Sequence, residues 1–460
     1  LFPVLSSWGA TGLLIEWEDT FPYVDDLAAI GSLGNGLTYT QEEVDRIYSL
    51  AEQNNLTAVP LVQTFGHLEF VLRHEKWKCL REVENYPSSL CPNHPDAVKL
   101  VTSMVNQVIA RSPKSLQYFH IGADEVWHLG MCFSCNEQDK QLLFLSHVTT
   151  VLRLLRQHHP HLKWIMWDDM LRSIDSRLLT EYGLGDLVDP MVWIYDSSAT
   201  FHLSDDLWQK YTSVFRNIWV ASAYKGATGS FQILPILEHH VGNHVQWVDT
   251  IRKQRPLKIN LHGIAITGWS RYDHYATLCE LLPTALPTLA LCLSVWKNCG
   301  YAPALHKEVA TALGYVKVPL LLSPYPRPQP VAAELNFPGW KIAVGVEWFA
   351  NLHGKHLNII NCDQISTWMN PWQIKHNFTN PMQIESLVNS LFELDKEWTA
   401  FEVYMTNHMS EAYYDAVIDE WLYTHVHSAK SAVKQLHKAG ERQLAQAANK
   451  TSQSSTLFAL

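Results

Sequence analysis

The sequence predicts an α/β chain built on a parallel (β/α)8 TIM-type barrel with a helical C-terminal extension. Three observations carry this. Short apolar segments alternate with amphipathic ones about seven times over the first three hundred residues. The apolar segments are continuous rather than alternating, as strands buried on both faces are. Nearly every one of them ends in acids, tryptophans or tyrosines, which places the chemistry at strand C-terminal ends, where parallel barrels carry it.

Taken in order, the residues before Gly12 read as a helix. The strand candidates are then GLLIEWED (Gly12 to Asp19), TAVPLVQTFGH (Thr57 to His67), LQYFHIGADE (Leu116 to Glu125), KWIMWDD (Lys163 to Asp169), PMVWIYD (Pro190 to Asp196), NIWVASAYKG (Asn217 to Gly226) and HGIAITGWSRY (His262 to Tyr272). Between them lie helices. Thr40 with Glu43 is a capping-box start, and Val44, Ile47, Tyr48 and Ala51 then share a face. Asp96 to Ala110 and Leu142 to Gln157 repeat that period. Seven strands are one short of a closed barrel, so the first strand is expected upstream of Leu1 and missing from this chain. An open doubly wound sheet is the alternative. LLPTALPTLALCLSVW, Leu281 to Trp296, is short and broken by Pro283 and Pro287, which predicts a buried barrel helix and no membrane segment. The expected division is a catalytic barrel over residues 1–315, a proline-rich linker over 316–335 and a helical region over 336–450.

Composition narrows the function. The chain has 460 residues, 47% hydrophobic and 17% charged, which suits a globular protein with a large core. The net charge is -10 and no dense Lys/Arg run occurs, which argues against nucleic acid as a partner. Eight cysteines are too few for a disulfide scaffold. Cys132 and Cys135 form a lone CxxC; a zinc site would want a second pair or histidines at ligand spacing, and none is evident in the sequence. A loop disulfide or two free thiols is the expectation, with no metal and no cofactor. Sequons at Asn55, Asn377 and Asn449 hint at secretion, but LFPVLSSWGA begins without an initiator Met and reads as a fragment or processed chain, so the compartment stays open between cytoplasm and secretory pathway.

The strand ends are what a pyranose site needs, because aromatic faces pack on sugar C–H faces and charged groups bind hydroxyls. A single tryptophan there is as readily core, and acids such as Asp168 or Asp169 also cap helices. The coincidence across seven strands carries the argument. Asp124 and Glu125 form the sharpest feature. A retaining glycosidase in its simplest form uses two carboxyls roughly 5 Å apart, whereas neighbours on a regular strand point to opposite faces. The pair fits better if the nucleophile is the substrate's own 2-acetamido carbonyl, one carboxyl orienting the amide and the other protonating the leaving oxygen.

FHIGADEVW, Phe119 to Trp127, resembles the H-x-G-x-D-E signature of glycoside hydrolase family 20. PLVQTFGHLEF (Pro60 to Phe70), MWDDM (Met166 to Met170), SAYKGATG (Ser222 to Gly229) and TGWSRYDHY (Thr267 to Tyr275) resemble its hexosaminidase D-like branch, so the likeness covers most of residues 1 to about 310. The resemblance implies a β-N-acetylhexosaminidase with a substrate-assisted, retaining mechanism on glycans that carry N-acetylhexosamine. It implies Glu125 as acid/base and Asp124 as the group that holds the acetamide. Tyr195 or Tyr224, with Tyr195 favoured, would donate to the acetamide oxygen. Trp167, Trp193 and Trp269 would wall the pocket. His67 would support Glu125, with Glu18 or Asp19 completing that network and His120 opening the motif. Arg271 or Asp273 would bind outer hydroxyls. The family's sugar-binding arginine on strand one has no counterpart here. The rivals are a non-catalytic glycan-binding protein on a degenerate barrel and a glycosidase pairing Glu125 with Asp168 or Asp169. A metal-dependent hydrolase is disfavoured, because His158, His159 and His161 read as an exposed helix end.

Overall fold

The computed structural model describes residues 1–31, 38–197, 200–323 and 335–456. The chain divides into two compact units, Leu1–Pro324 and Tyr325–Leu460. Most of the expected proline-rich linker, residues 324–334, lies outside the described residues.

Among its described residues the first unit holds nine strands: β1 Gly12–Glu16, β2 Thr57–Leu61, β3 Arg81–Val83, β4 Tyr86–Leu90, β5 Tyr118–His120, β6 Lys163–Trp167, β7 Asp189–Trp193, β8 Ile218–Lys225 and β9 Leu261–Gly268. β3 and β4 form an antiparallel hairpin, and the other seven make one parallel sheet in the order β1-β2-β5-β6-β7-β8-β9. Neighbours in sequence are neighbours in the sheet, which is barrel winding. A doubly wound sheet would reverse its order at a switch point, and this one does not. The result is a near-closed barrel sheet. Its two edge strands are β1 and β9 among the described residues.

The helices between strands are set by local signals. In Gln41–Gln53 the Thr40 hydroxyl accepts from Glu43 N at 3.1 Å while Glu43 Oε2 accepts from Thr40 N at 2.7 Å. Lys140–His158 is capped by Asp139, which accepts from the Gln141 and Leu142 amides. Their apolar faces join the strands in one core around Phe65, Phe119, Phe144, Trp164 and Trp208. Inside the barrel a second cluster forms from Leu61, Ile165, Trp167, Met191 and Ala221, with Trp193, Trp219 and Trp269 against it. Leu282–Lys297 is a buried helix that accommodates Pro287. Among the described residues no helix is long and apolar enough to cross a membrane.

The second unit is helical. Trp340–Ile360 and Pro381–Met409 pack through Phe349, Trp398 and Phe401. Its last helical stretch starts at Asp415 and passes through a π-helical turn, Tyr423–His427, into Ser428–Thr456.

Candidate active site

The acidic couple sits where β5 ends. The strand stops at His120, and Gly122, Ala123 and Glu125 then take positive φ of 64°, 67° and 48°. Adjacent side chains diverge only while the backbone stays extended. This left-handed run turns both carboxyls to one side, and they meet the same imidazole. His67 Nε2 lies 3.1 Å from Glu125 Oε2 and 3.5 Å from Asp124 Oδ2. His67 itself has φ 51°. Two glycines allow the approach. A Cβ on Gly66 would lie 2.1 Å from the Asp124 carbonyl oxygen, and one on Gly122 would lie 2.0 Å from Gln63 Oε1.

Gln63 is the hub beneath the couple. Its amide nitrogen donates to Asp124 Oδ1 at 2.9 Å and to Glu16 Oε1 at 3.2 Å, while its oxygen accepts from Ala123 N at 3.1 Å. Asp169 supports from the next strand. It accepts from Glu125 N at 2.9 Å and from the Trp193 indole at 3.2 Å. Asp124, Glu125, Glu69 and Glu16 thus crowd one histidine. Burial, then the charges of Glu18 and Asp124, push Glu16 up to about 8. Burial and the Asp124 charge push Asp169 up to about 7. Burial also raises Asp124. His67 goes the other way from a normal buried histidine: desolvation lowers it, but the Glu125 hydrogen bond and the charges of Asp124, Glu69 and Glu125 outweigh that and raise it to about 10. Glu125 is the more exposed of the couple, its side chain 32% accessible against 13% for Asp124.

Aromatic rings stand around the couple. Trp193 stacks on Tyr195 at 5.1 Å, and Trp167 meets Trp269 edge-on at 5.9 Å. The Tyr195 hydroxyl is hydrogen-bonded to the Thr267 and Trp269 side chains, and Asp124 is close enough to raise its pKa further above what burial does. The Trp167 indole nitrogen is buried with no partner among the described residues. Tyr224 is buried with its ring laid over Gly268 of β9.

Other expected residues are engaged elsewhere. Glu18 pairs with His274 at 3.2 Å, drawing together the loops behind the edge strands β1 and β9, and Asp19 pairs with Arg73. Neither is paired with His67, whose pKa is raised by Glu125, Asp124 and Glu69 and which in turn acts on Glu16; Gln63 and Asp169 support the acidic couple itself. Arg271 donates to the Ala276 carbonyl at 2.7 Å, and Asp273 Oδ1 caps the amides of Tyr275 and Ala276, so both hold their own loop. His120 is fully buried, accepts from Gly122 N at 3.0 Å and packs on Trp167. Asp168 is committed to Arg172, Tyr211 and the Trp193 amide, which leaves it no free face for a substrate. Gln63 and His274 were passed over in the sequence. Gln63 had a visible signal, a lone polar residue inside the apolar run PLVQTF. The CxxC expectation also changes: Cys91 and Glu82 converge on Cys132 and Cys135, so ligand-type neighbours do exist.

The catalytic domain of glycosyl hydrolase family 20 matches residues 16–196. Hexosaminidase D of Homo sapiens is 34% identical over 446 residues, covering 95% of this chain and 89% of that protein. Hexosaminidase D of Bos taurus is 40% identical over 321 residues, covering 68% of this chain and 91% of that one. Among solved structures, a β-N-acetylhexosaminidase from Bacteroides fragilis NCTC 9343 matches at 15% identity and TM-score 0.45, over 64% of this chain and 61% of its own. A near-closed parallel barrel with an acidic mouth walled by tryptophan is the build of a glycoside hydrolase. The chain belongs to glycosyl hydrolase family 20.

Proposed function

We propose that this glycoside hydrolase is a retaining exo-β-N-acetylhexosaminidase that releases terminal β-linked GlcNAc or GalNAc by substrate-assisted catalysis. One observation supports this above the others: both carboxyls of the couple lie within 3.5 Å of one imidazole nitrogen, so two sequence neighbours reach one sugar. On this reading Asp124 accepts from the acetamide N–H and aligns the carbonyl oxygen. That oxygen bonds to the anomeric carbon as the glycosidic C–O bond breaks, and Glu125 hands its proton to the leaving oxygen. Water then attacks the same carbon, gives its proton to Glu125 and reopens the amide. The configuration is retained because two displacements occur. The surplus of negative charge around His67 suits the cationic intermediate, which it stabilises. Tyr195 donates to the acetamide oxygen, Trp167, Trp193 and Trp269 form the pocket for the methyl group, and His67 orients Glu125. Asp169 is a positioning residue that acts through the Glu125 amide.

The test is turnover of chromogenic β-N-acetylglucosaminide and β-N-acetylgalactosaminide with NMR of the first-formed anomer. The β-anomer should appear, and a thiazoline mimic of the cyclic intermediate should inhibit competitively. An α-anomer product, or indifference to the thiazoline, overturns the substrate-assisted reading. No turnover of either sugar favours a glycan-binding role.

A further inference from the structure

The cysteine cluster behind the active-site loop is not used by the chemistry above. Cys91 follows the β3–β4 hairpin, and Cys132 and Cys135 follow the acidic couple by a few residues. Cys91 Sγ lies 3.5 Å from Cys132 Sγ and 3.7 Å from Cys135 Sγ. A disulfide would bring two sulfurs to about 2.05 Å, far shorter than either. In a tetrahedral zinc site with Zn–S near 2.3 Å, sulfurs stand about 3.8 Å apart, which is the spacing here. The fourth corner comes from β3. A Glu82 carboxylate oxygen and the three sulfurs all lie within 4.8 Å of one another. Glu82 is 2% exposed; its Oε1 accepts from the Met131 and Cys132 amides, and its Oε2 has no partner among the described residues. A buried carboxylate oxygen beside three thiols and without a donor is costly unless a cation meets it. Amide and hydroxyl donors are in place for thiolates as well: Asn93 N points to Cys91 Sγ, and Ser134 Oγ lies 3.1, 3.6 and 3.8 Å from Cys132, Cys91 and Cys135.

We propose that Cys91, Cys132, Cys135 and Glu82 form a structural zinc site. Soft thiolates select zinc over magnesium or calcium, and a fourth protein ligand leaves no open position for catalysis. Each thiol that binds releases its proton to solvent. The ion joins two segments that frame the catalytic couple. On one side the hairpin grips the His67 segment, through Leu90 N to Phe65 O at 3.1 Å and Leu68 N to Ser88 O at 3.0 Å. On the other, Cys132 and Cys135 end the loop that begins at Glu125. The same two segments are already in register through Tyr86 stacked on His128 at 4.5 Å and Asn93 Nδ2 donating to Ser134 O at 2.8 Å. The zinc is therefore a strut between the histidine and the acid.

The experiment uses the full chain purified under reducing conditions. Elemental analysis should give one zinc per chain, released when an organomercurial blocks the thiols and detected with a chromogenic chelator. Cobalt(II) exchanged into the site should give a thiolate charge-transfer band in the near ultraviolet and the intense visible bands of tetrahedral coordination. Cys91→Ser should lose most of the zinc. Glu82→Gln should keep the charge-transfer band and shift the visible ones; if Ser134→Ala shifts them instead, the fourth ligand is misassigned and that part of the proposal falls. Zinc that stays bound after thiol blockade, a cobalt spectrum without thiolate absorption, or a peptide map with Cys91 disulfide-linked to Cys132 or Cys135 overturns the proposal. The mercurial and cobalt readouts use the unmutated chain, so a variant that fails to fold does not shelter it.

Discussion

Two acidic couples end neighbouring strands, Asp124–Glu125 after β5 and Asp168–Asp169 after β6. They look alike in sequence and are opposites in charge balance. Asp168 is fully buried but answered on every side: Arg172 donates twice, at 2.8 and 2.7 Å, Tyr211 OH donates at 2.9 Å and Trp193 N at 3.2 Å. Its charge is spent holding the β6 and β7 ends together. Asp124 has one neutral amide donor, one shared histidine and three other acids nearby. The first couple is left under-compensated, which costs stability in the resting protein and is useful only if a positive charge develops there. An acid's place on the rim does not tell these two states apart; its donors do.

Five substitutions test that contrast. The largest effect is expected at Glu125→Gln, about a 10³-fold drop in kcat on poor leaving groups with Tm little changed. Wild-type turnover there would remove Glu125 from the chemistry. Asp124→Asn should cost about 300-fold in kcat, because the developing cation loses its counter-charge; unchanged kinetics would mean the acetamide is held by something else. Asp168→Ala should act on stability instead, by about 3 kcal/mol in urea unfolding, since Arg172 loses its partner. An Asp168 variant that unfolds like wild type but is inactive would break the distinction between the couples. Asp169→Asn should lower kcat about tenfold with KM little moved, the worth of one hydrogen bond to the Glu125 segment; a KM effect alone would make Asp169 a substrate contact. The smallest is Glu16→Gln. Glu16 rises from 4.5 to about 8 on folding, so its contribution is held below about pH 4.5 and lost as pH climbs through about 8. The unfolding free energy should fall less steeply across that window in the variant, by at most about 1.4 kcal/mol per pH unit, and Tm with it. Parallel Tm–pH curves would show that Glu16 does not carry the burden.

The strand beginnings were legible in the sequence, whereas most strand endings, that of β8 apart, were overrun. GLLIEWED, TAVPLVQTFGH and LQYFHIGADE each start within two residues of β1, β2 and β5 but overrun them by three, six and five residues. The overrun is the rim itself. Its aromatic and apolar residues look like strand, and only backbone torsion at positions such as Ala123 and His67 reveals that the sheet has ended. That same torsion resolves the objection that neighbours face opposite ways. The β3–β4 hairpin was missed because REVENYPSSL is charged and carries a proline, with no apolar alternation to mark it. The cysteine cluster was half visible. Cys132 and Cys135 announce themselves by spacing, whereas Cys91 and Glu82 arrive from a hairpin that no local pattern predicts. Asp168 and Asp169 could not be sorted, because what separates them is an arginine one helical turn beyond Asp168 and a tyrosine forty-three residues beyond it.

The contact between Gly66 and the Asp124 carbonyl has a genetic consequence. Every missense change that one base can make in a glycine codon installs a β-carbon. At Gly66 that atom would stand 2.1 Å from a main-chain oxygen, with no flexible side chain to yield. Inherited variation at this codon is therefore expected to be either silent or damaging, with little between, although the residue itself takes no part in any reaction.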